Sequence, residues 1–166
     1  MTAKSHWRMR LLRVAPLAAC AAILFSPPSL RADAVHHTVV RSDAVKWGTA
    51  PPSLPPGVQA AVLLGSPAKE GPFVIRLKMP AGYTIPPHRH SKDELVTVLS
   101  GAVTIAPAEA THSGLPQPLA PESFIYLPAG MSHFARAQRE SVVQINGTGP
   151  FDVVYLNPAD DPRMKP

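Results

Sequence analysis

Proline, glycine and serine divide the chain after residue 34 into short apolar runs, none of which has the periodicity of an amphipathic helix. Such runs are typical of strands, whose successive side chains face opposite sides of a sheet. In residues 73–79, for example, the odd positions are apolar and two of the three even positions are basic. This pattern predicts an all-β domain whose strands bury one face.

Ten short strands are expected, joined by turns and by two longer connections. Strands at this spacing are typical of an antiparallel sandwich or a small barrel with a ligand site inside. The connections are the proline-rich segment 49–57 and the loop 107–121, which contains His112 and could cover a barrel mouth. The predicted strands are 38–41, 44–47, 58–64, 73–79, 94–99, 102–106, 123–127, 133–137, 142–146 and 153–156.

Residues 82–101 have the pattern of a metal site. Gly82 and Gly101 bound the stretch, where turns between strands favour a residue that is free to take positive φ. His88 and His90 are two residues apart, so on a strand both imidazoles project to the same side. After a polar break, Glu94 opens a second apolar run and could bring a carboxylate oxygen beside them. Three candidate ligands therefore lie within seven residues.

A second group of motif residues follows the long loop. A strand leads into the tight turn from Pro128 to Gly130, and His133 opens the next strand. This arrangement would return a third imidazole towards the first three ligands. With both halves in view, the chain resembles the cupin superfamily.

The resemblance rests on two motifs within residues 73–137. The first is Gly, five residues, His-x-His, three or four residues, Glu, six residues and Gly, and residues 82–101 match it in full. The second is matched by Pro128, Gly130 and His133, whereas Glu122 stands where the family has Gly and Ala137 where it often has Asn. Neither departure affects a ligand of the family.

The resemblance implies a single domain with a cupin-type antiparallel β-barrel, or jelly-roll, that binds one divalent transition metal. Its ligands would be His88, His90, Glu94 and His133. Nitrogen and carboxylate donors suit Fe, Mn, Zn, Ni, Co or Cu and do not choose among them. The four residues could instead lie separately on surface strands, but their joint spacing favours metal binding. A six-coordinate metal would keep two positions for water or substrate.

Several functions stay open, because cupins host dioxygenases, decarboxylases, isomerases and non-catalytic binders. The leading hypothesis is an oxidoreductase of the dioxygenase type, with the metal as Lewis acid and template for a small oxygen-bearing organic substrate. Glu94 is a candidate general base. The alternatives are a sensory module that binds a metal or small ligand without catalysis, and a metal-stabilised structural dimer. Since cupins commonly pair edge strands, a homodimer is a further expectation. Four polar residues are candidates for binding a substrate: Tyr126, Arg76, Gln144 and Tyr155.

The first 34 residues have the features of a secretory signal peptide. Four basic residues precede the apolar run 14–25, and small residues allow cleavage after Ala34. The run has about twelve residues, too few for a membrane span, which needs roughly twenty. Lipoprotein processing at Cys20 is the weaker interpretation, because the apolar run continues beyond it. We therefore expect export to the periplasm or secretion, without stable membrane insertion after processing.

Cleavage would divide the chain into a signal peptide (1–34), an arm and connector (35–57), the barrel (58–157) and a C-terminal tail (158–166). Without the leader, eleven Lys and Arg and ten Asp and Glu remain, a net charge of +1. This balance does not indicate the clustered basic face that a nucleic-acid partner needs. The single cysteine lies in the leader, so the mature domain is expected to have no disulfide.

Overall fold

The computed structural model describes residues 37–110 and 116–164, so the predicted signal peptide lies outside the described residues. Residues 37–166 form one compact unit. Within the described ranges, no helix is long and apolar enough to cross a membrane. Helical structure there consists of the single-turn 3₁₀ helices Ser42–Ala44, Pro158–Asp160 and Pro162–Met164.

Within residues 37–110 and 116–164, ten strands form two antiparallel sheets, which confirms the predicted all-β, jelly-roll fold. The strands are β1 Gly48–Thr49, β2 Gln59–Leu64, β3 Gly71–Met79, β4 Thr84–Arg89, β5 Glu94–Ser100, β6 Val103–Pro107, β7 Phe124–Leu127, β8 His133–Ala137, β9 Ser141–Gly149 and β10 Val154–Tyr155. One sheet has the order β1-β2-β3-β9-β5-β7, and the other has the order β10-β4-β8-β6.

The core lies between the two sheets, because the buried side chains of both belong to one apolar cluster. Phe73, Leu77 and Met79 supply the inward face of β3, as the alternation of residues 73–79 predicts. Ile85 and Val103 supply buried side chains from the second sheet. Burying a side chain of this size contributes roughly 1.5–3 kcal/mol. These inward faces hold the two sheets together around the site.

The predicted strands differ from the observed ones in two places. Residues 38–41 and 44–47 form no strand, and the short β1 follows them instead. Conversely, β4 is absent from the predicted strands because it contains Pro86 and Pro87, which lack the N–H group that a ladder uses. The pairing of β4 with β8 is irregular between Ile85 and His88, where the two prolines lie. A strand with this defect still places His88 on its inner face.

The proline-rich connector folds back onto the barrel. β1 pairs with β2, and the hydroxyl groups of two buried tyrosines hold the residues that follow it. Tyr83 donates to the carbonyl of Pro55 at 2.7 Å, and Tyr155 donates to the carbonyl of Ser53 at 2.8 Å. The segment 51–55 is therefore a fixed part of the domain surface.

The two glycines that bound the first motif both have positive φ, but their surroundings differ. Gly82 has φ +78° and open space where a Cβ would stand. Gly101 has φ +87°, and a Cβ there would lie against Ser141 Oγ and 2.5 Å from the backbone oxygen of Glu140. Gly101 is required for backbone conformation and for close approach, whereas Gly82 is required for conformation alone.

We predict that Gly101→Ala lowers the free energy of unfolding more than Gly82→Ala does. The left-handed conformation costs a residue with a Cβ about 1–2 kcal/mol, which is the loss expected at Gly82. At Gly101 the clash adds to this cost, and a loss of about 3 kcal/mol or more is expected. Urea unfolding of both variants measures the difference. Equal losses of unfolding free energy in the two variants would show that the close contact at Gly101 does not contribute to the cost of the substitution.

Candidate metal centre

Three buried histidines converge on one point inside the barrel. The ligand atoms of His88, His90 and His133 all lie within 4.8 Å of one another. His88 is on β4 and pairs directly with His133 at the start of β8, while His90 follows the end of β4. Their exposed fractions are 3%, 6% and 2%. Antiparallel pairing thus joins the two motifs, which are about forty residues apart.

Each imidazole is oriented by a backbone carbonyl at its Nδ1 atom. Because a carbonyl only accepts hydrogen bonds, we assign the ring proton to Nδ1 and the free lone pair to Nε2. Metal-binding histidines usually donate the other ring N–H to a carbonyl or carboxylate in this way. The carbonyls of Pro86, Asp152 and Met131 lie 2.8, 2.5 and 3.1 Å from Nδ1 of His88, His90 and His133.

Glu94 brings a carboxylate to the same point from the other sheet. It is the first residue of β5, is 6% exposed, and its Oε2 lies 3.3 Å from Nε2 of both His90 and His133. Burial alone would raise the pKa of Glu94, but the neighbouring His133 and His90 lower it to about 2. The side chain is therefore an anion at neutral pH.

The imidazoles respond differently to this environment. Burial, together with the neighbouring His133 and His90, lowers the pKa of His88 to about 3, so this ring is neutral. Burial also lowers the pKa of His90, but Glu94 and the carbonyl of Asp152 act in the opposite direction and the net shift is upward. At neutral pH, His88 is thus ready to bind a cation without first losing a proton.

The donor set fits a divalent transition metal. His90 Nε2 is buried and within ion-pair distance of Glu94, yet it has no partner with hydrogen-bond geometry among the described residues. A buried nitrogen without a partner is unfavourable in an apolar interior, and a cation bound there would supply one. The three histidines could therefore form a metal site, with Glu94 as a fourth donor beside two of them.

The segment after β9 holds His90 in place. The ring of Phe151 stacks on the imidazole, with centroids 4.3 Å apart and planes 23° apart. The carboxylate of Asp152 accepts hydrogen bonds from the backbone N–H and the hydroxyl of Ser91, at 2.7 and 2.8 Å. Sequence reasoning missed both residues, because they lie about sixty positions from His90 and belong to neither motif.

A pocket of about 340 Å³ opens directly onto His88, His90 and Glu94. The lining also includes Pro51, Ser53 and Leu54 of the connector, the turn 66–68, Phe151 and Val153. A separate cavity of about 30 Å³, roughly the room of one water molecule, lies on the core side of the site. The described parts of loop 107–121 do not line the outer pocket, and His112 lies outside the described residues.

Of the four residues considered for substrate binding, the structure brings one near the histidines. The ring of Tyr155 lies 5.9 Å from that of His88, centroid to centroid, but its hydroxyl donates to Ser53. Arg76 and Gln144 lie on the outer face of their sheet, where the guanidinium donates to the amide oxygen at 3.1 Å.

Tyr126 also lies outside the barrel, with 51% of its surface exposed. It pairs directly with Leu95 of β5, and directly opposed residues in a sheet share a face. Leu95 points outward because Glu94 and Val96 point inward, so Tyr126 must point outward too. The pairing register of β7 with β5 decides which β7 side chains point outward, and the local sequence does not specify that register.

Comparison with known proteins identifies the family. No curated protein matches the chain. The family model described as the ChrR cupin-like domain matches residues 35–152, more than two thirds of the sequence. The chain belongs to this cupin family. The match contains both histidine motifs, Glu94 and the Phe151–Asp152 segment that holds His90.

Solved structures that resemble this ChrR-like cupin share its fold at low identity. A protein provisionally assigned as an acetylacetone dioxygenase, from Methylibium petroleiphilum PM1, has a TM-score of 0.60 and 19% identity, covering 78% of this chain and 87% of its own. The polyketide cyclase RemF from Streptomyces resistomycificus has a TM-score of 0.63 and 15% identity, with coverages of 76% and 90%. KdgF from a Halomonas species has a TM-score of 0.52 and 18% identity, covering 70% of this chain and 96% of its own.

We predict that His88→Ala and His133→Ala each abolish stoichiometric binding of Zn²⁺ or Mn²⁺. Each change removes one of the three convergent lone pairs. Arg89→Ala is the matched control, because Arg89 lies between the two motif histidines and is exposed. Elemental analysis after dialysis measures the metal per chain, and the melting temperature with and without metal gives a second readout. Full metal content in both histidine variants would contradict the site.

Proposed function

We propose that this cupin is an exported oxidoreductase of the dioxygenase type that uses one bound transition metal and acts on a small oxygen-bearing organic molecule. The observation that carries this proposal is the pocket of about 340 Å³ that opens onto His88, His90 and Glu94. A purely structural metal site is closed by its protein ligands, whereas a catalytic site keeps room for a substrate. The pocket supplies that room beside the histidines.

The residues that would hold the metal are His88, His90, His133 and Glu94. When bound, such an ion supplies Lewis acidity and a redox centre. The imidazoles are correctly oriented because backbone carbonyls lie at hydrogen-bond distance from their Nδ1 atoms, which leaves the Nε2 atoms to face the metal. All four donors lie below 10% exposure, so bulk water has little access to them except through the pocket.

The role of Glu94 follows from its electrostatics. A pKa of about 2 makes its carboxylate a poor proton acceptor at neutral pH, because an efficient base has a pKa near the working pH. The same low pKa favours Glu94 as a metal ligand. A role as general base would require Glu94 to move away from His90 and His133, which hold its pKa down.

The type of reaction rests on the site and not on the fold. The acetylacetone dioxygenase assignment and the polyketide cyclase belong to different reaction classes on the same fold, so similarity at this level does not choose between them. A donor set of nitrogen and carboxylate atoms without sulfur accepts iron or manganese, which a dioxygenase could use, as well as zinc, nickel, cobalt or copper. The largely apolar pocket favours an organic molecule over a small hydrophilic one.

A non-catalytic ligand-binding module is the second candidate. Its support is that the matched family model is named for the ChrR cupin-like domain and not for an enzyme. The same pocket and donors would then bind a small molecule without converting it. Binding without turnover is the property that separates this candidate from the oxidoreductase.

Oxygen uptake tests the choice between the two candidates. The purified chain, loaded separately with Fe²⁺, Mn²⁺ and Zn²⁺, is offered catechols, flavonols and diketones in an oxygen electrode. We expect uptake matched to substrate loss with iron or manganese, abolished in His88→Ala and retained in Arg89→Ala. Stoichiometric metal and measurable ligand binding, with no uptake for any substrate, would reject the dioxygenase and favour the binding module.

Export is a separate part of the proposal, and cell fractionation tests it. We expect the mature chain in the periplasm or medium, beginning at Val35. A chain that starts at Met1 in the cytoplasm would contradict export. A lipid-modified N-terminal Cys20 would establish the lipoprotein alternative.

A further inference from the structure

We propose that the pocket beside the metal centre selects small uncharged molecules with an apolar body and rejects carboxylates, and that Leu54 sets the size limit. This inference rests on the proposed function, because it assigns the substrate class to the same centre. Three observations carry it: the charge of the lining, the rigidity of one wall and the volume of the space.

The lining is poor in charge. Among the described residues, Glu94 is its one carboxylate, and no lysine or arginine lines it. The other polar side chains are His88, His90 and the hydroxyl groups of Ser53 and Ser66. A carboxylate on the body of a ligand would lose its water without gaining a cationic partner, which is unfavourable in an apolar site. An oxygen pair on an uncharged ligand can instead face the metal donors.

The wall that carries Leu54 is fixed at both neighbouring residues. Tyr155 donates to the carbonyl of Ser53, and Tyr83 donates to the carbonyl of Pro55. The backbone N–H of Leu54 itself donates to the carbonyl of Pro51 at 3.0 Å, which closes a turn. Both tyrosines are buried, with 7% of the surface of Tyr155 and 8% of that of Tyr83 exposed. The backbone that carries Leu54 therefore cannot move away from the pocket without the loss of these hydrogen bonds.

The volume limits the ligand. At about 340 Å³ the pocket is near the lower end of the range for small-molecule sites, roughly 300–1,000 Å³. Leu54 lines this space from the connector, together with Pro51 and Ser53. Removing its branched side chain should enlarge the pocket while the donors stay in place.

The first test compares two ligands of similar size that differ in charge. 4-Methylcatechol and 3,4-dihydroxybenzoate share an oxygen pair and have similar size, but the second carries a carboxylate at neutral pH. Calorimetric titration of the Zn²⁺-loaded full chain measures binding without turnover. We expect the acid to bind at least about tenfold more weakly. Equal binding, tighter binding of the acid, or no binding of either compound would overturn the proposal.

The second test examines Leu54 directly. Leu54→Ala should bind the bulkier 4-tert-butylcatechol at least about fivefold more tightly than the wild type. Leu54→Lys adds a cation to the lining and should therefore reduce or reverse the difference in affinity between 4-methylcatechol and 3,4-dihydroxybenzoate. Leu99→Ala is the matched control, because Leu99 is exposed on β5 outside the pocket and should change neither affinity. Unchanged affinities in variants that keep the wild-type melting temperature would contradict the role of Leu54.

These outcomes separate the inference from the proposed reaction. Charge-selective binding without oxygen uptake would keep the pocket assignment and reject the dioxygenase. Oxygen uptake combined with equal binding of the two catechols would keep the dioxygenase and reject the pocket assignment.

Discussion

The pairing of β4 with β8 is the interaction on which the site depends, because it sets His88 directly opposite His133. A slip of one residue in this register would turn one of the two imidazoles to the outer face of the sheet. β5 of the other sheet then brings Glu94 to the same point, and the segment after β9 holds His90. Four donors thus depend on the closure of both sheets, and no local stretch is sufficient.

Burying three imidazoles and a carboxylate is unfavourable unless their charges and lone pairs are matched. On the outer side of the cluster, three backbone carbonyls accept hydrogen bonds from the Nδ1 atoms of the histidines and fix the orientation of the rings. The inner side includes the buried Nε2 of His90, which has no hydrogen-bond partner among the described residues and which a bound cation would match. This division explains why the centre is both rigid and suited to a metal. It also explains why its stability should depend on metal content.

The sequence predicted the parts of the site that follow local rules. His88, His90 and Glu94 were found because alternation and spacing act within a few residues, and His133 because it opens a strand after a recognisable turn. Tyr126 and Gln144 were considered for the pocket and lie outside it, because the face of a strand depends on its pairing register. Arg76 also lies outside the pocket, on the face of β3 opposite to its buried side chains, as the alternation of residues 73–79 indicates. β4 was not predicted as a strand because it contains two prolines. Phe151, Asp152 and Leu54 were not predicted as site residues, because only tertiary folding brings them to the site.

X-ray absorption spectroscopy at the metal edge tests the central claim most directly, since it reports the atoms bound to the ion. The metal-loaded chain should show one ion per molecule, bound by three imidazole nitrogens and a carboxylate oxygen at about 2.0–2.2 Å. His88→Ala should lose one imidazole from this set. A spectrum with fewer than three imidazoles in the wild-type protein would contradict the account.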